Sequence, residues 1–299
     1  METKNRKKGF FLAFIATLAL ASVYIFSKSA LNRVHLFQFG FYWFLVALFL
    51  NFIFIKITGK KINLNEYTLK ERFAILINAL LETVGTILFF SAIEFTENPA
   101  IISFLVNLGP VFTLALAYFL LHERFKKGEY FGIIFTLFGV IIINYNQETA
   151  FQDLYSRSTI YITISSLMYA LAGIIAKKNI HRIEPVILSI ARIVSLLMVS
   201  MFFMLYEGLT FKIGFDAFAF ISAGAFMGPF LAILASYYSF KYIEISLTNI
   251  IMSTKSVLVV AGSYLFLHKM MQNNQLIGGA LTIIGIIAIS MVNRKKKIK

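Results

Sequence analysis

The chain has 299 residues, of which 59% are hydrophobic and only 14% are charged. This composition excludes an ordinary soluble protein and indicates a polytopic membrane protein. The formal charge of +14 does not indicate nucleic-acid binding, because the basic residues lie in short runs between apolar segments and at both ends, where they act as topology signals.

Ten apolar segments are long enough to cross a bilayer, for which a helix needs roughly 20 mainly apolar residues. Lipid requires every backbone polar group to be satisfied within the protein, so we predict helices and an all-α integral membrane fold. The connections between the segments are short, which leaves no room for a separate soluble domain. The predicted spans are residues 10–28, 36–56, 73–92, 100–121, 130–146, 159–176, 186–206, 217–240, 246–268 and 276–292.

The first span follows a basic stretch, residues 4–8, and so imitates a secretory signal peptide. The apolar run continues without an A-x-A-like cleavage site, so we expect it to remain as a membrane anchor. If the N-terminus is cytoplasmic, most Lys and Arg residues fall on the cytoplasmic side. We therefore expect a multi-pass protein of the cell membrane, the inner membrane of a bacterium, with both termini in the cytoplasm.

The chain contains an internal repeat. Residues 120–143 are similar to residues 266–289 at a constant offset of 146, which pairs Gly139 with Gly285. Other stretches match at offsets of 148 and 149. We therefore divide the chain into two halves, 1–150 and 151–299, of five spans each. An odd number of spans forces the halves into opposite orientations, and inverted repeats are typical of transporters with a binding site near the midplane.

Residues 98–143, NPAIISFLVNLGPVFTLALAYFLLHERFKKGEYFGIIFTLFGVIII, resemble the EamA-type half-domain of the drug/metabolite transporter (DMT) superfamily. The resemblance extends over both halves. It implies a ten-helix carrier that moves small metabolites, often outward, through a central cavity lined mainly by the first, third and fourth helices of each half. The residues that stand where the family pattern expects them are Pro110, Glu123, Arg124, Gly132, Gly139, Lys28, Lys177 and Arg192.

Charged residues inside the spans are the first candidates for a substrate site, because such groups are costly in a bilayer and are usually functional. Glu82, Arg192 and Lys255 have no charged counterpart in the other half. Glu82 is either one member of an ion pair with Lys255 or Arg192, or a cavity carboxylate that binds an ammonium group or exchanges a proton.

Lys255 lies near the middle of its span, roughly 15 Å from either interface, which is too far for its ammonium group to reach water by snorkelling. We expect it to face a cavity and to bind a carboxylate or phosphate. Arg192 lies nearer the cytoplasmic end, where snorkelling, a structural salt bridge and substrate contact are all open.

Uncharged residues extend the predicted site. Asn78 lies one turn before Glu82, on a helix face that continues through Gly85 and Thr86, and Asn107 lies in the fourth span. Tyrosine and tryptophan rings can form cavity walls that attract cations, or can lie in the interfacial belt. The aromatic candidates are Tyr24, Trp43, Tyr169, Tyr237 and Tyr238, of which Tyr24 and Tyr169 join the predicted substrate-binding set.

Three residues are candidates for gating. Asn107 with Gly109 and Pro110 interrupts the fourth span, and Gly228 with Pro229 interrupts the eighth. Proline in a span permits a bend that suits a moving helix, although Pro and Gly also occur in spans for packing alone. We therefore predict gating roles for Pro110, Gly228 and Pro229.

The sequence gives no sign of an enzyme, a cofactor or a metal site. It has no cysteine, no GxxxxGK[ST] phosphate loop and no nucleophile with a base at a credible spacing. We predict a secondary transporter that exports amino acids or similar small polar metabolites by alternating access, with Lys255 binding the carboxylate and Glu82 the ammonium. A coupling proton is a further partner that Glu82 allows. The alternatives are a carrier of organic cations and a non-transporting membrane scaffold.

Overall fold

Helices form all the regular secondary structure of the described residues in the computed structural model, which describes 2–59, 64–97, 99–121, 127–144, 156–243 and 245–291. In chain order the helices are α1 (Glu2–Leu31), α2 (Leu36–Thr58), α3 (Leu69–Glu94), α4 (Pro99–Leu105), α5 (Leu108–Leu121), α6 (Lys127–Asn144), α7 (Arg157–Asn179), α8 (Pro185–Tyr206), α9 (Phe215–Ala225), α10 (Ile233–Tyr242), α11 (Ile245–Ser253), α12 (Lys255–Leu267) and α13 (Asn273–Met291). A 3₁₀ turn (Leu64–Glu66) precedes α3, and a π-helical segment (Phe226–Ala232) joins α9 to α10.

Local sequence signals set several helix ends. Thr68 begins α3 with a capping box, in which its hydroxyl accepts from the Glu71 amide and the Glu71 carboxylate accepts from the Thr68 amide. Pro185 stands in the first turn of α8, where its missing N–H costs nothing. Gly59 ends α2 in the left-handed conformation, at a φ of 62°.

Six helices of the described residues are long and apolar enough to cross a membrane: 7–31, α2, α3, α7, α8 and the continuous stretch from α9 to α10. The fourth and ninth predicted spans are each divided between two shorter helices, and the fifth and tenth correspond to α6 and α13. The count of ten spanning helices therefore remains a prediction. The predicted Glu123 and Arg124 turn and the boundary after residue 150 lie outside the described residues.

Helix interruptions occur at equivalent places in the two halves. The fourth span breaks between Leu105 and Leu108, as the sequence around Asn107 predicts. The ninth span, expected to be one helix through Lys255, breaks at Thr254 instead. Its prediction as a continuous helix is wrong, and Lys255 is the first residue of α12.

The helix contacts of the two halves are also equivalent. The first helix of the first half, α1, packs against α9, α10, α11 and α12 of the second half. The first helix of the second half, α7, packs in the same way against α3, α4 and α5 of the first half. The second helices, α2 and α8, pack against each other, and so do the last helices, α6 and α13. These reciprocal contacts agree with a chain built from two repeats.

Two lysines reinforce this equivalence. The Lys28 ammonium, at the end of α1, donates to the carbonyl oxygens of Ile93 and Glu94 at 3.2 and 3.1 Å. The Lys177 ammonium, at the end of α7, donates to the carbonyl oxygens of Phe240 and Ile243 at 2.7 and 2.8 Å. Each lysine thus satisfies carbonyls at the C-terminal end of the third helix of its own half, where a positive charge is favourable.

Close packing of α6 against α13 depends on a glycine. A Cβ atom at Gly139 would lie 2.5 Å from the Gly278 carbonyl oxygen and 2.6 Å from Thr282 Cγ2. We expect Gly139→Val to destabilise the protein by about 1–3 kcal/mol through overpacking, measured as a lower unfolding temperature in detergent. The matched control is Gly109→Ala, where a Cβ meets no atom within 4 Å. An unchanged unfolding temperature for Gly139→Val would contradict this packing.

Candidate functional site

A cavity of about 190 Å³ lies between the two halves. Its walls come from α1, α3 and α5 together with α7, the stretch from α9 to α10, and α11 with α12. These are the first, third and fourth helices of each half, as the resemblance implied. The second helices add one residue each, Trp43 from α2 and Arg192 from α8, which the repeat aligns with each other.

Glu82 lies on the cavity wall and is buried. Its Oε2 accepts a hydrogen bond from Arg192 Nε at 2.8 Å, which makes a charge-assisted ion pair between α3 and α8. Its Oε1 lies 3.2 Å from the Tyr237 hydroxyl of α10. Of the two ion pairs that the sequence left open for Glu82, the structure therefore contains the one with Arg192, and the pair with Lys255 is absent.

Arg192 uses only part of its hydrogen-bonding capacity. A guanidinium group carries five N–H donors. Nε donates to Glu82 and Nη2 donates to Thr86 Oγ1 at 2.8 Å, but Nη1 is buried and has no partner among the described residues. Arg192 thus remains able to donate to a further acceptor.

Asn78 stands behind Glu82 and does not line the cavity. Its Nδ2 donates to the Ala172 carbonyl oxygen at 2.9 Å, and its Oδ1 lies 3.2 Å from the Tyr237 hydroxyl. Asn78, Glu82 and Thr86 therefore form one polar helix face, as their spacing predicted. The face contacts α7, α8 and α10, all from the second half.

Lys255 lines the cavity and is 8% exposed. Its ammonium makes one hydrogen bond, to the Met252 carbonyl oxygen at 3.3 Å. No acidic side chain in the described part of the chain forms an ion pair with it. Since an ammonium carries three N–H donors, Lys255 presents unused donors and an uncompensated charge to the cavity.

The predicted aromatic walls are mostly present. Tyr24, Trp43, Tyr169 and Tyr237 line the cavity, and Tyr238 does not. The Tyr169 hydroxyl donates to Thr86 Oγ1 at 3.0 Å. Sequence reasoning missed three phenylalanines, which no charge or repeat asymmetry marks. They are Phe89, Phe90 and Phe240.

Asn107 is buried at the break between α4 and α5, and it does not line the cavity. Its Nδ2 donates to Ser256 Oγ at 3.4 Å, and Ser256 donates to the Ser103 carbonyl oxygen. Asn107 therefore joins the helix break of the first half to the start of α12. Its Oδ1 has no partner among the described residues.

Of the gating candidates, Gly228 and Pro229 line the cavity within the π-helical segment. A Cβ at Gly228 would meet Val23 Cγ2 at 2.7 Å, so glycine permits α1 to approach closely here. Pro110 belongs to α5, and its side chain lies outside the described residues. No cluster of His, Asp or Glu suited to a metal ion occurs in the described residues.

Comparison with known protein families identifies the family of this chain. The model of the EamA-like transporter family matches residues 7–145 and again residues 156–291. The chain belongs to the EamA-like transporter family. Members of this family in the DMT superfamily are membrane transporters, so transport is the general activity of the chain, as the resemblance implied.

The two family matches agree with the two repeats read from the sequence. A solved crystal structure is similar over 96% of this chain and 98% of its own, with a TM-score of 0.71 and 15% sequence identity. At this identity the likeness shows that the EamA-like chain shares the fold and no more. No curated protein matches the chain.

Because Glu82 of α3 and Arg192 of α8 form a buried ion pair, we expect these two residues to be strongly coupled in their contributions to stability. Removing one member of a buried pair typically costs about 3–5 kcal/mol, because the other charge remains buried without compensation. We expect Glu82→Met and Arg192→Met each to destabilise the protein, and the double variant to be more stable than the sum of the two losses implies. The measurement is a double-mutant cycle on unfolding in mixed micelles.

The matched control is the partly exposed pair of Lys241 and Glu184, at 3.0 Å. Such pairs contribute about 0–1 kcal/mol, so its cycle should show little coupling. Additive losses at Glu82 and Arg192 would mean that the two charges do not stabilise one another.

Proposed function

We propose that this chain is a secondary transporter that moves amino acids or similar small polar metabolites outward by alternating access through the cavity between its halves. The observation that supports this most is Lys255, an ammonium on the cavity wall that pairs with no acidic side chain of the described residues. A buried charge of this kind is tolerated only with a partner or a wet cavity. A substrate carboxylate supplies that partner.

The charges of the cavity wall favour a negatively charged group. Glu82 and Arg192 compensate each other, so Lys255 is left in excess among the described lining residues. The unpartnered Nη1 of Arg192 offers a second donor to the same kind of acceptor. A carboxylate that accepts from Lys255 would therefore offset the charge and lower the cost of burying it.

The opposite end of an amino acid also finds suitable groups. Glu82 is the only acidic residue among the described lining residues. Tyr24, Trp43 and Tyr169 place aromatic rings on the same walls, and aromatic faces attract ammonium groups. A volume of about 190 Å³ suits a small metabolite, since pockets for drug-sized ligands usually measure about 300–1,000 Å³.

Alternating access requires helices that can bend near the cavity. The breaks at Asn107 and Thr254 and the π-helical segment with Gly228 and Pro229 all adjoin it. Interrupted helices at the repeat interface are a recurrent feature of transporters in which one repeat rocks against the other. We assign gating to Gly228, Pro229 and Pro110 on this basis.

We further propose that the protein is inserted in a bacterial inner membrane with both termini cytoplasmic. The distribution of Lys and Arg supports this orientation. A reporter fused after Lys299 should be active in the cytoplasm, and activity outside the cell would overturn the topology.

The aromatic rings of the cavity also favour a second candidate, a carrier of organic cations. In that case Glu82 is the counterion and Lys255 is an internal cation that the substrate displaces. The two candidates predict opposite effects at Lys255, because its removal weakens carboxylate binding and relieves the repulsion of a cation.

Lys255→Met should therefore abolish amino-acid flux in proteoliposomes, measured with a panel of radiolabelled amino acids and, separately, organic cations. The matched control is Lys269→Met. Lys269 is an exposed lysine whose ammonium bonds Glu97 at 2.9 Å and thereby lowers the pKa of that carboxyl. Lys269→Met should leave flux unchanged.

Three outcomes would contradict the amino-acid proposal. Flux that Lys255→Met leaves intact would remove Lys255 from the site. Cation flux that Lys255→Met increases would establish the second candidate. No flux of any solute would favour the non-transporting scaffold.

A further inference from the structure

Two residues of the cavity wall each have a buried polar atom with no hydrogen-bond partner among the described residues. One atom is Nη1 of Arg192, and the other is the hydroxyl oxygen of Ser166 on α7. A serine inside a helix commonly bonds a carbonyl of the preceding turn, as Ser236 does on α10, where its hydroxyl donates to the Ala232 carbonyl oxygen at 2.8 Å. Ser166 makes no such bond, and a buried hydroxyl without a partner is costly. Both atoms are therefore free to bond a ligand.

Ser166 and Arg192 approach the cavity at the same level of α3. The hydroxyl of the neighbouring Ser165 donates to the Gly85 carbonyl oxygen at 2.7 Å, which fixes this turn of α7 beside Gly85. Arg192 donates to side chains of the same turn of α3, three residues before Gly85 and one residue after it. We call this part of the wall the Ser166–Arg192 subsite. Its unused hydrogens suit a carboxylate, whose two oxygens both accept.

Lys255 reaches the cavity from another side. The helix that begins at Lys255, α12, packs against α1, α4 and α11, whereas the helix of Arg192, α8, packs against α2, α3 and α10. The Arg192 guanidinium is paired with Glu82, and Lys255 forms no ion pair with the acidic side chains that the structure describes. The cavity therefore offers two separate places to an anionic group, one at Lys255 and one at the Ser166–Arg192 subsite.

The charges of the described lining residues do not balance. They comprise two cations, Arg192 and Lys255, and one anion, Glu82, which leaves one positive charge in excess. An amino acid with a neutral side chain has one ammonium and one carboxylate, so it leaves this excess unchanged. A substrate with one ammonium and two carboxylates would remove it. Because an uncompensated buried charge is costly, the balance favours the second kind of substrate.

We propose that the substrate is an amino dicarboxylate, such as an acidic amino acid, and that the Ser166–Arg192 subsite binds its second carboxylate. The first carboxylate binds Lys255 and the ammonium binds Glu82, as in the proposed function, on which this inference rests. The Ser166 hydroxyl and Arg192 Nη1 donate charge-assisted hydrogen bonds to the side-chain carboxylate. The corresponding amide has the same shape but offers one acceptor oxygen and no charge, so it binds more weakly.

Glutamate and glutamine isolate the charge of the second group, because their shapes are nearly the same. Their binding to the purified full-length protein is measured by isothermal titration calorimetry. We expect glutamate to bind roughly tenfold more tightly than glutamine, the fold-change that corresponds to about 1.4 kcal/mol. Glutamine that binds as tightly as glutamate would overturn the proposal.

Ser166→Ala removes one donor of the subsite. It should weaken glutamate binding by roughly tenfold and leave the binding of alanine, which has no second carboxylate, unchanged. The matched control is Ser236→Ala, at a lining serine whose hydroxyl already donates to the Ala232 and Ile233 carbonyl oxygens. This control should leave glutamate binding unchanged. Glutamate binding that Ser166→Ala does not alter would remove Ser166 from the site.

Ser166→Asp tests the subsite by filling it. The new carboxylate would pair with Arg192 in place of the second carboxylate of the substrate. Glutamate binding should be lost through repulsion between like charges, whereas alanine binding should persist and thereby show that the variant is folded. Glutamate binding that withstands this change would contradict the subsite.

Glutarate, a dicarboxylate without an ammonium group, separates this inference from the proposed function. If glutamine and alanine bind as tightly as glutamate, the proposed function stands and the inference fails. If glutarate binds in a way that depends on Ser166 and no amino acid binds, the anionic subsite stands and the amino-acid function fails. Binding of none of these compounds would overturn both.

Discussion

The ion pair between Glu82 and Arg192 is the constraint on which the site depends. Glu82 belongs to the first half and Arg192 to the second, and both side chains are buried. Either charge alone is costly inside a membrane-spanning helix bundle. Their contact at 2.8 Å therefore fixes how α3 lies against α8, and the other polar groups follow from that alignment. Thr86 meets the guanidinium one turn along α3, the Tyr237 hydroxyl meets the carboxylate, and Asn78 meets the Tyr237 hydroxyl.

Residues that the halves share and residues that they do not share have separate roles. Lys28 and Lys177 occupy equivalent positions and cap equivalent helix ends. The cavity instead collects the positions at which the halves differ. At one such position the second helix of the first half has Trp43, which packs against Phe90, and the second helix of the second half has Arg192. The repeat thus provides a symmetric frame around a cavity whose walls are chemically asymmetric.

Much of this arrangement could be predicted from the sequence. Hydropathy places the helices, the repeat divides the chain, and the break at Asn107 follows from the adjacent Gly109 and Pro110. The break at Thr254 could not be predicted, because the segment Ile-Met-Ser-Thr-Lys-Ser has neither Pro nor Gly. Only the structure shows the Thr254 hydroxyl donating to the Ile251 carbonyl oxygen at 2.7 Å, a local bond that competes with the helix ladder.

The partner of Glu82 is a second limit of sequence reasoning. Hydropathy gives the approximate depth of a residue but not the rotation of its helix, and both Lys255 and Arg192 were possible partners. Asn107 illustrates the same limit. As a polar residue in a span it was predicted to line the substrate site, but its side chain joins two helices and does not line the cavity. Rotation is set by packing between helices, and packing involves residues far apart in the chain.

The break in the ninth span, which the sequence did not predict, places Lys255 at the start of a helix. As the first residue of α12 it lies at the positive end of a helix dipole, where a lysine is normally unfavourable. Its single hydrogen bond runs back to Met252, in the last turn of α11, where the dipole is negative. An anion in the cavity would meet both the ammonium and the start of α12, and half-helix N-termini bind anionic groups in other transporters. Such an anion would offset the local cost of Lys255 at this place, so under the proposed function the break in the ninth span would contribute to substrate recognition.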